Sequence, residues 1–192
     1  MNLSTRFEEA LVFAVHLHSR QKRKGTKVPY ASHLLSVTAL VLEDGGSEDE
    51  AIAALLHDSV EDQGGMMVLG QIRKKFGPKV AEIVLSCSDS TTLIKAPWQQ
   101  RKENYLSHLQ TATPEAVRVS LADKLHNARS ILRDLGQDGD DVWKRFTGGR
   151  DGSLWYYRSL VEIFQEVSPS PMVEELSQIV TILEGRTNHQ IR

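Results

Sequence analysis

Four ionisable side chains fall in the segment Leu-Leu-His-Asp-Ser-Val-Glu-Asp at residues 55–62. His57 and Glu61 are four residues apart, as are Asp58 and Asp62, so one helix would place both pairs on adjacent strips of its surface. Apolar residues precede them, so these groups would end an otherwise buried helix, where they cost free energy unless they bind a metal, water or each other. An imidazole nitrogen beside a carboxylate oxygen suits Mn, Fe, Co, Ni or Zn.

A metal site needs about four protein ligands, or three and a water, so further ligands must come from other parts of the chain. Two candidates are His33 and Asp123, because each stands in an otherwise apolar stretch. Each also has an ordinary interpretation. His33 could be a partly buried histidine with satisfied hydrogen bonds, and Asp123 an ion-pair partner of Lys124 or Lys95.

The composition limits the class of protein that could carry such a site. The 192 residues suit one domain over residues 1–192, and 40% apolar with 25% charged residues excludes a disordered or fibrous chain. A net charge of −2 gives no general attraction to nucleic acid. No apolar run approaches the ~20 residues of a membrane span, and no signal segment is evident. Since Cys87 is the only cysteine, no internal disulfide can form, which predicts a reduced, cytoplasmic protein.

Helix start and stop signals recur along the whole chain. The predicted starts are Thr5 with Glu8, Ser47 with Glu50, Thr113-Pro114-Glu115 and Ser170-Pro171, and the predicted ends are glycines at 45–46, 64–65, 136 and 185. The helix that Ser47 opens is expected to continue to about Asp62. Residues 88–97 are predicted to form a loop, because Ala96-Pro97 disfavours a helix there. Strand signals are scarce, so the predicted fold is an all-α bundle of eight to ten helices.

The order His33, His57-Asp58, Asp123 resembles the H…HD…D pattern of the HD-domain metal-dependent phosphohydrolases. Four surrounding segments resemble the hydrolase domain of RelA/SpoT-type alarmone enzymes. They are residues 21–25 (QKRKG), 29–33 (PYASH), 54–62 (ALLHDSVED) and 121–127 (LADKLHN). The length of 192 residues, without a synthetase domain, resembles that of the small stand-alone alarmone hydrolases, including the metazoan SpoT homologues. The resemblance covers residues from about 5 to about 165 and implies an HD-type helical bundle.

The resemblance also implies a metal and a reaction. The ligands that it implies for one divalent ion, usually manganese, are His33, His57, Asp58 and Asp123. Glu61 and Asp62 match the acidic pair that activates or positions the attacking water in this family. A metal lowers the pKa of its water towards neutrality, and a nearby carboxylate can take the proton. The implied reaction is attack of water on the phosphorus bound to the 3′ oxygen of guanosine 3′,5′-bis(pyrophosphate), (p)ppGpp, which releases pyrophosphate.

A run of cations precedes His33. Lys22, Arg23, Lys24 and Lys27 place four positive charges within six residues. Such a run is often only a solvated loop, but the family has an Arg-Lys pair at the position of Arg23 and Lys24, which the resemblance assigns to the nucleotide.

Other residues have both a functional and an ordinary interpretation. Tyr30 matches a nucleotide-contacting tyrosine or is a core aromatic beside Pro29. Asn127 matches a base- or ribose-contacting asparagine or is an exposed helix residue. Arg101-Lys102 could reach a phosphate or cover a helix surface, whereas Trp155-Tyr156-Tyr157 favours packing.

Two departures from the family leave the substrate open. Leu34 follows His33 where many relatives have proline, and the segment 63–66 lacks the threonines common in alarmone enzymes. The partner predicted is therefore a small-molecule nucleotide, with no nucleic acid and no membrane, and the oligomeric state is not indicated. The alternatives are an HD-type phosphatase or phosphodiesterase acting on another nucleotide, such as NADPH or a nucleoside monophosphate, and a non-catalytic nucleotide sensor. The presence of Glu61 and Asp62 argues against the sensor, because pure binding does not need them.

Overall fold

The structure is a computed structural model that describes residues 2–89 and 96–185. Those residues form ten α-helices, a 3-10 helix at Gly139–Arg145 and no β-strand, which confirms the predicted all-α class. The α-helices are α1 (Thr5–Leu17), α2 (Ala31–Glu43), α3 (Glu48–Leu56), α4 (Ser59–Gln63), α5 (Gly65–Phe76), α6 (Pro78–Cys87), α7 (Trp98–Leu109), α8 (Pro114–Asp138), α9 (Gly149–Val167) and α10 (Pro171–Gly185). The predicted loop at 88–97 includes residues 90–95, which lie outside the described residues.

The chain divides into two compact units, Met1–Lys95 with Ala112–Asp123, and Ala96–Thr111 with Lys124–Arg192. The first unit holds α1 to α6 and the beginning of α8, and the second holds α7, the rest of α8, α9 and α10. The expectation of one domain over residues 1–192 stays a prediction. Among the described helices, none is long and apolar enough to cross a membrane, and the cytoplasmic location also stays a prediction.

Helix α3 lies at the centre of the first unit, where it packs against α1, α2 and α6. All six residues from Ala51 to Leu56 are fully buried, as expected for a helix that is apolar all round. The predicted capping box at its start is confirmed, because the Glu50 amide donates to Ser47 Oγ and the Ser47 amide donates to the Glu50 carboxylate at 2.7 Å. A capped and fully packed α3 therefore holds its last residues in a defined place.

The continuous helix predicted from Ser47 to about Asp62 is wrong. Helix α3 ends at Leu56, and a separate five-residue helix, α4, begins at Ser59. The interruption falls on His57 and Asp58, the two residues whose side chains enter a buried cluster of ionisable groups. The break therefore coincides with tertiary contacts of these two side chains. The spacing of residues along the sequence carries no information about such contacts. The predicted end at 64–65 is confirmed by Gly64, which has a φ of 148°.

The capping box predicted at Thr5 and Glu8 is also wrong. Ser4 is the N-cap of α1, and its hydroxyl accepts a hydrogen bond from the amide of Arg6 at 3.3 Å. The Ser4 amide donates to the Glu48 carboxylate at 2.6 Å. A contact with the start of α3 thus helps to place the beginning of α1 one residue earlier than the local sequence indicates.

The start of α8 agrees with the sequence, but its end does not. Thr113 Oγ1 accepts from the amide of Ala116 at 3.3 Å, which is the predicted capping contact. The helix then passes Gly136, its predicted end, and continues to Asp138. It stops before Gly139, whose φ of 59° is the left-handed conformation that favours glycine.

The second unit is built around α9, which packs against α7, α10 and the 3-10 helix. Trp98 of α7 lies against Gly148 and Gly152, and a Cβ at Gly148 would come within 2.6 Å of its ring. The Trp98 and Trp155 rings meet edge to face with centroids 6.2 Å apart, and Tyr156 is buried. These contacts support the packing interpretation of the aromatic segment.

Candidate metal centre

The four predicted metal ligands all lie in the first unit and come from three different parts of the fold. His33 is the third residue of α2, His57 and Asp58 form the break between α3 and α4, and Asp123 lies within α8. His33, His57 and Asp123 are buried, with exposures of 0%, 2% and 6%, and the Asp58 side chain is 21% exposed. The cluster is therefore a largely buried group of two imidazoles and two carboxylates, open to solvent on the side of Asp58. We call these four residues the metal centre.

The four distances between a carboxylate oxygen and an imidazole nitrogen fit one shared ion. Asp58 Oδ2 lies 2.9 Å from His57 Nε2 and 3.4 Å from His33 Nε2. Asp123 Oδ1 lies 3.2 Å from His33 Nε2 and 3.6 Å from His57 Nε2. Two ligands that each lie about 2.0–2.2 Å from one ion, at tetrahedral or octahedral angles, are separated by about 2.8–3.6 Å. All four distances have the length of an edge of such a coordination shell.

The orientation of His57 is typical of a metal ligand. Its Nδ1 lies 2.8 Å from the carbonyl oxygen of Ala54, and because a carbonyl only accepts, Nδ1 carries the hydrogen. In the neutral ring Nε2 then presents a lone pair to the carboxylates of Asp58 and Asp123, an arrangement that requires a cation or a proton between them. Metal-binding histidines usually donate their other ring N–H to a carbonyl or carboxylate in this way.

The charges of the cluster show the same need for a positive charge. Burial lowers the pKa of His57, but the carboxylates of Asp58 and Asp123 outweigh burial and hold that pKa well above its usual value. Burial raises the pKa of Asp58, but His57 and His33 outweigh it and hold that pKa well below the usual range. Among the protein's own groups, a proton on His57 thus offsets the carboxylates, and a divalent cation would offset them more fully.

Tyr30 fixes the position of the Asp58 carboxylate. Its hydroxyl donates to Asp58 Oδ2 at 2.5 Å, and its ring stacks on His18 with centroids 5.2 Å apart and planes at 15°. Burial and the charge of Asp58 both raise the pKa of Tyr30, so its hydroxyl stays protonated and remains a donor. The sequence predicted a nucleotide contact for Tyr30, and the structure adds this contact with a predicted metal ligand.

Comparison with known proteins identifies the architecture to which this centre belongs. The sequence model of a family described as "HD domain" matches residues 10–154. The chain belongs to the HD-domain family. An HD domain implies a divalent metal, and the cluster of His33, His57 and Asp58 has the donor atoms for one.

Two relatives of this HD-domain protein carry the same enzyme name, guanosine-3′,5′-bis(diphosphate) 3′-pyrophosphohydrolase MESH1. The one from Xenopus tropicalis is 37% identical over 94% of this chain and 90% of its own length. The one from Homo sapiens is 35% identical over 70% of this chain and 72% of its own length. A solved structure of a metazoan SpoT orthologue that hydrolyses ppGpp is 26% identical, with a TM-score of 0.78 over 95% of this chain and 97% of that chain. The predicted resemblance to HD-domain alarmone hydrolases is confirmed.

The acidic pair of this HD-domain protein follows the metal centre directly. Glu61 is half-buried and Asp62 is exposed, and both belong to α4, which begins one residue after Asp58. The Asp62 carboxylate accepts a hydrogen bond from Gln21 Nε2 at 2.7 Å. The buried imidazole of His57 and the accessible carboxylate of Asp62 thus lie within one short segment. The catalytic role of the pair stays a prediction.

The cations at residues 22–27 form a closed loop, which we call the basic loop. The Arg23 amide donates to the carbonyl of Val28 at 2.9 Å, and a bridge pairs Lys22 with Pro29. The Arg23 guanidinium lies over the Tyr30 ring, 5.6 Å from its centroid, while Lys24 is exposed. Since Tyr30 also binds Asp58, its side chain contacts both the basic loop and the metal centre.

The structure does not test three other residues that the sequence singled out. Asn127 belongs to the second unit, and its substrate contact stays a prediction. Lys95, one alternative partner of Asp123, lies outside the described residues. The Lys124 ammonium lies over the Tyr105 ring, 5.0 Å from its centroid.

Sequence reasoning assigned no role to His18, which the structure places beside Gln21 and Ser59. This histidine is 2% exposed, with Nδ1 2.6 Å from Gln21 Oε1 and Nε2 3.3 Å from Ser59 Oγ. The sequence indicated no metal-binding partner for it. Only one signal was available, namely that Gln21 opens the segment QKRKG, which carries part of the family resemblance.

Proposed function

We propose that this protein is a metal-dependent hydrolase that removes pyrophosphate from the 3′ position of (p)ppGpp. The carboxylates of Asp58 and Asp123 each lie within 3.6 Å of both His33 Nε2 and His57 Nε2, and this convergence carries the proposal. The names of relatives that are 35% and 37% identical support this substrate.

Manganese is the ion that we propose for the centre. Two imidazole nitrogens and two carboxylate oxygens form a mixed donor set that suits Mn, Fe, Co, Ni or Zn, and the family resemblance favours Mn among them. A divalent ion supplies a positive charge that acidifies water and offsets charge on phosphoryl oxygens. The protein supplies the orientation, because Ala54 holds the ring of His57 and Tyr30 holds the carboxylate of Asp58.

The acidic pair accepts the proton of the attacking water. As the water oxygen bonds to the phosphorus on the 3′ oxygen, its proton passes to the carboxylate of Glu61 or Asp62. The bond between phosphorus and the 3′ oxygen breaks, and that oxygen leaves and takes a proton. The products from ppGpp are pyrophosphate and guanosine 5′-diphosphate. Asp62 is exposed and can return its proton to solvent.

The basic loop binds the polyanionic substrate. Arg23 is held over the Tyr30 ring and can grip a phosphate with two parallel hydrogen bonds, and the exposed Lys24 adds a second charge. Asn127 is proposed to contact the base or ribose. These roles extend the family resemblance to residues that stand at matching positions.

The decisive experiment identifies the products from a panel of nucleotides. Purified protein is incubated with Mn²⁺ and, separately, ppGpp, pppGpp, NADPH and nucleoside monophosphates. We expect pyrophosphate to be released from the two alarmones and to depend on the metal. Release of orthophosphate from NADPH or from a monophosphate, without pyrophosphate from ppGpp, would identify another HD-type phosphatase. Binding of ppGpp without any turnover would identify a sensor.

A further inference from the structure

A chain of hydrogen bonds connects the exposed carboxylate of Asp62 to the interior of the first unit. Gln21 Nε2 donates to Asp62 Oδ2 at 2.7 Å, and Gln21 Oε1 lies 2.6 Å from His18 Nδ1. His18 Nε2 in turn lies 3.3 Å from Ser59 Oγ. Because Ser59 and Asp62 both belong to α4, the hydrogen bonds hold this helix near its start and near its end.

The direction of each hydrogen bond follows from its partners. A carboxylate only accepts, so the amide nitrogen of Gln21 must face Asp62. The amide oxygen then accepts from His18 Nδ1 and from Gln63 Nε2, the latter at 2.5 Å. A reversed amide would place its oxygen against the carboxylate and its NH₂ group against that of Gln63. Gln21 is therefore held with its donor towards Asp62.

His18 is a fixed support for Gln21. It is buried and stacked on Tyr30, whose hydroxyl binds Asp58. Burial lowers the pKa of His18, so the ring is neutral, with the hydrogen on Nδ1 and a lone pair on Nε2 that accepts from the Ser59 hydroxyl. The stacked rings of Tyr30 and His18 thus contact both sites. Tyr30 binds Asp58, a proposed metal ligand, and His18 binds Gln21, which in turn binds Asp62.

Helix α4 needs such external support. A helix of five residues, Ser59–Gln63, has few internal hydrogen bonds, and helices this short do not persist without tertiary contacts. Gln21 also connects α4 with the basic loop, because its own carbonyl accepts from the amide of Tyr30 at 3.0 Å. One residue therefore contacts both the acidic pair and the base of the proposed phosphate-binding loop.

We propose that Gln21, supported by His18, is a positioning residue that orients the Asp62 carboxylate for hydrolysis. This inference rests on the proposed function. Gln21 acts through Asp62 and has no role in holding the metal. Its loss therefore lowers turnover and leaves metal content and substrate binding in place.

The first test replaces the amide by an apolar group of similar size. Gln21→Leu is expected to lower kcat about 10- to 100-fold, the usual effect of losing a residue that orients a catalytic group, with KM and bound Mn²⁺ within about twofold of wild type. Gln99→Leu is the matched control, because Gln99 Nε2 donates to the Glu103 carboxylate at 2.9 Å on the exposed surface of α7. This control is expected to keep wild-type kcat.

The second test asks whether Gln21 acts through Asp62. In the Asp62→Asn background, Gln21→Leu is expected to cause less than about a twofold further loss of kcat, because residues that act as one unit are not additive. An equal fold loss in both backgrounds would overturn the proposal. Gln21→Glu keeps the shape of the side chain but loses the donor, so it provides the same test if the leucine variant does not fold.

Wild-type turnover separates this inference from the proposed function. If wild type hydrolyses ppGpp but Gln21→Leu and Gln21→Glu both keep full kcat, only the positioning role is wrong. A loss confined to KM or to metal content also overturns it. If wild type releases pyrophosphate from neither alarmone, the proposed function is wrong, and the variants are then assayed with whichever nucleotide is hydrolysed. Absence of turnover with every nucleotide overturns both.

Discussion

Replacement of Asp58 by alanine tests the metal centre most directly. Asp58 Oδ2 lies 2.9 Å from His57 Nε2 and 3.4 Å from His33 Nε2, and it accepts a hydrogen bond from the hydroxyl of Tyr30. Asp58→Ala removes one of four proposed ligands. Loss of a residue that merely orients a ligand costs about 10- to 100-fold in metal affinity, so loss of the ligand itself should weaken the affinity by at least about 100-fold.

The consequence for stability follows from linkage. Mn²⁺ at 100 times its Kd stabilises the folded state by about 2.7 kcal/mol, and a 100-fold weaker site reduces this to about 0.4 kcal/mol. For a chain of this size, 1 kcal/mol corresponds to about 2–4 °C in Tm, so the rise in Tm on adding Mn²⁺ should nearly disappear. The metal-free variant should also lose about 1–3 kcal/mol, because the Tyr30 hydroxyl loses its buried acceptor.

The assay combines elemental analysis with thermal melting in the presence and absence of Mn²⁺. Asp141→Ala is the control, since the Asp141 side chain is 73% exposed and its ion pair, at 2.7 Å, is with Lys144, whose side chain is 80% exposed. It should keep both the metal content and the metal-dependent rise in Tm. If Asp58→Ala binds a full equivalent of Mn²⁺ and keeps that rise, Asp58 is not a ligand, and the reasoning from donor distances is wrong.

Three further results are expected. Asp62→Asn should keep its metal but lose about 10²- to 10⁴-fold in kcat, the usual contribution of a general base. If this variant keeps the kcat of wild type, Asp62 is not the general base. The double variant Arg23→Ala, Lys24→Ala should raise KM for ppGpp with little change in kcat, whereas a fall in kcat alone would place both cations outside the substrate site. The raised pKa of His57 means that the metal-free ring stays protonated above its ordinary pKa, so Mn²⁺ uptake in that range should release a proton and strengthen as pH rises. Calorimetry in buffers of different ionisation enthalpy measures that proton, and its absence would contradict the charge assignment. The raised pKa also means that protonated His57 stabilises the metal-free protein at low pH. This stabilisation is lost as pH rises through the raised pKa of His57.

Local rules predicted those helix boundaries that depend on neighbouring residues. The box of Ser47 and Glu50 and the cap at Thr113 form as expected, because each hydrogen bond joins residues three positions apart. The same rules failed where a distant residue intervenes. Ser4 replaces Thr5 at the start of α1 because its amide binds Glu48, which is 44 positions away in the sequence.

The amino-acid sequence alone determined the all-α class, the metal-ligand candidates and the family. Helix signals are local, and the segments that carry His33, His57-Asp58 and Asp123 keep their order along the chain whatever the fold. Only the tertiary structure decided that the carboxylates and imidazoles of these residues lie 2.9–3.6 Å apart and that the helix breaks at His57 and Asp58. It alone joined Gln21 to Asp62, because a hydrogen bond across 41 positions depends on how the helices pack and leaves no periodic trace in the sequence.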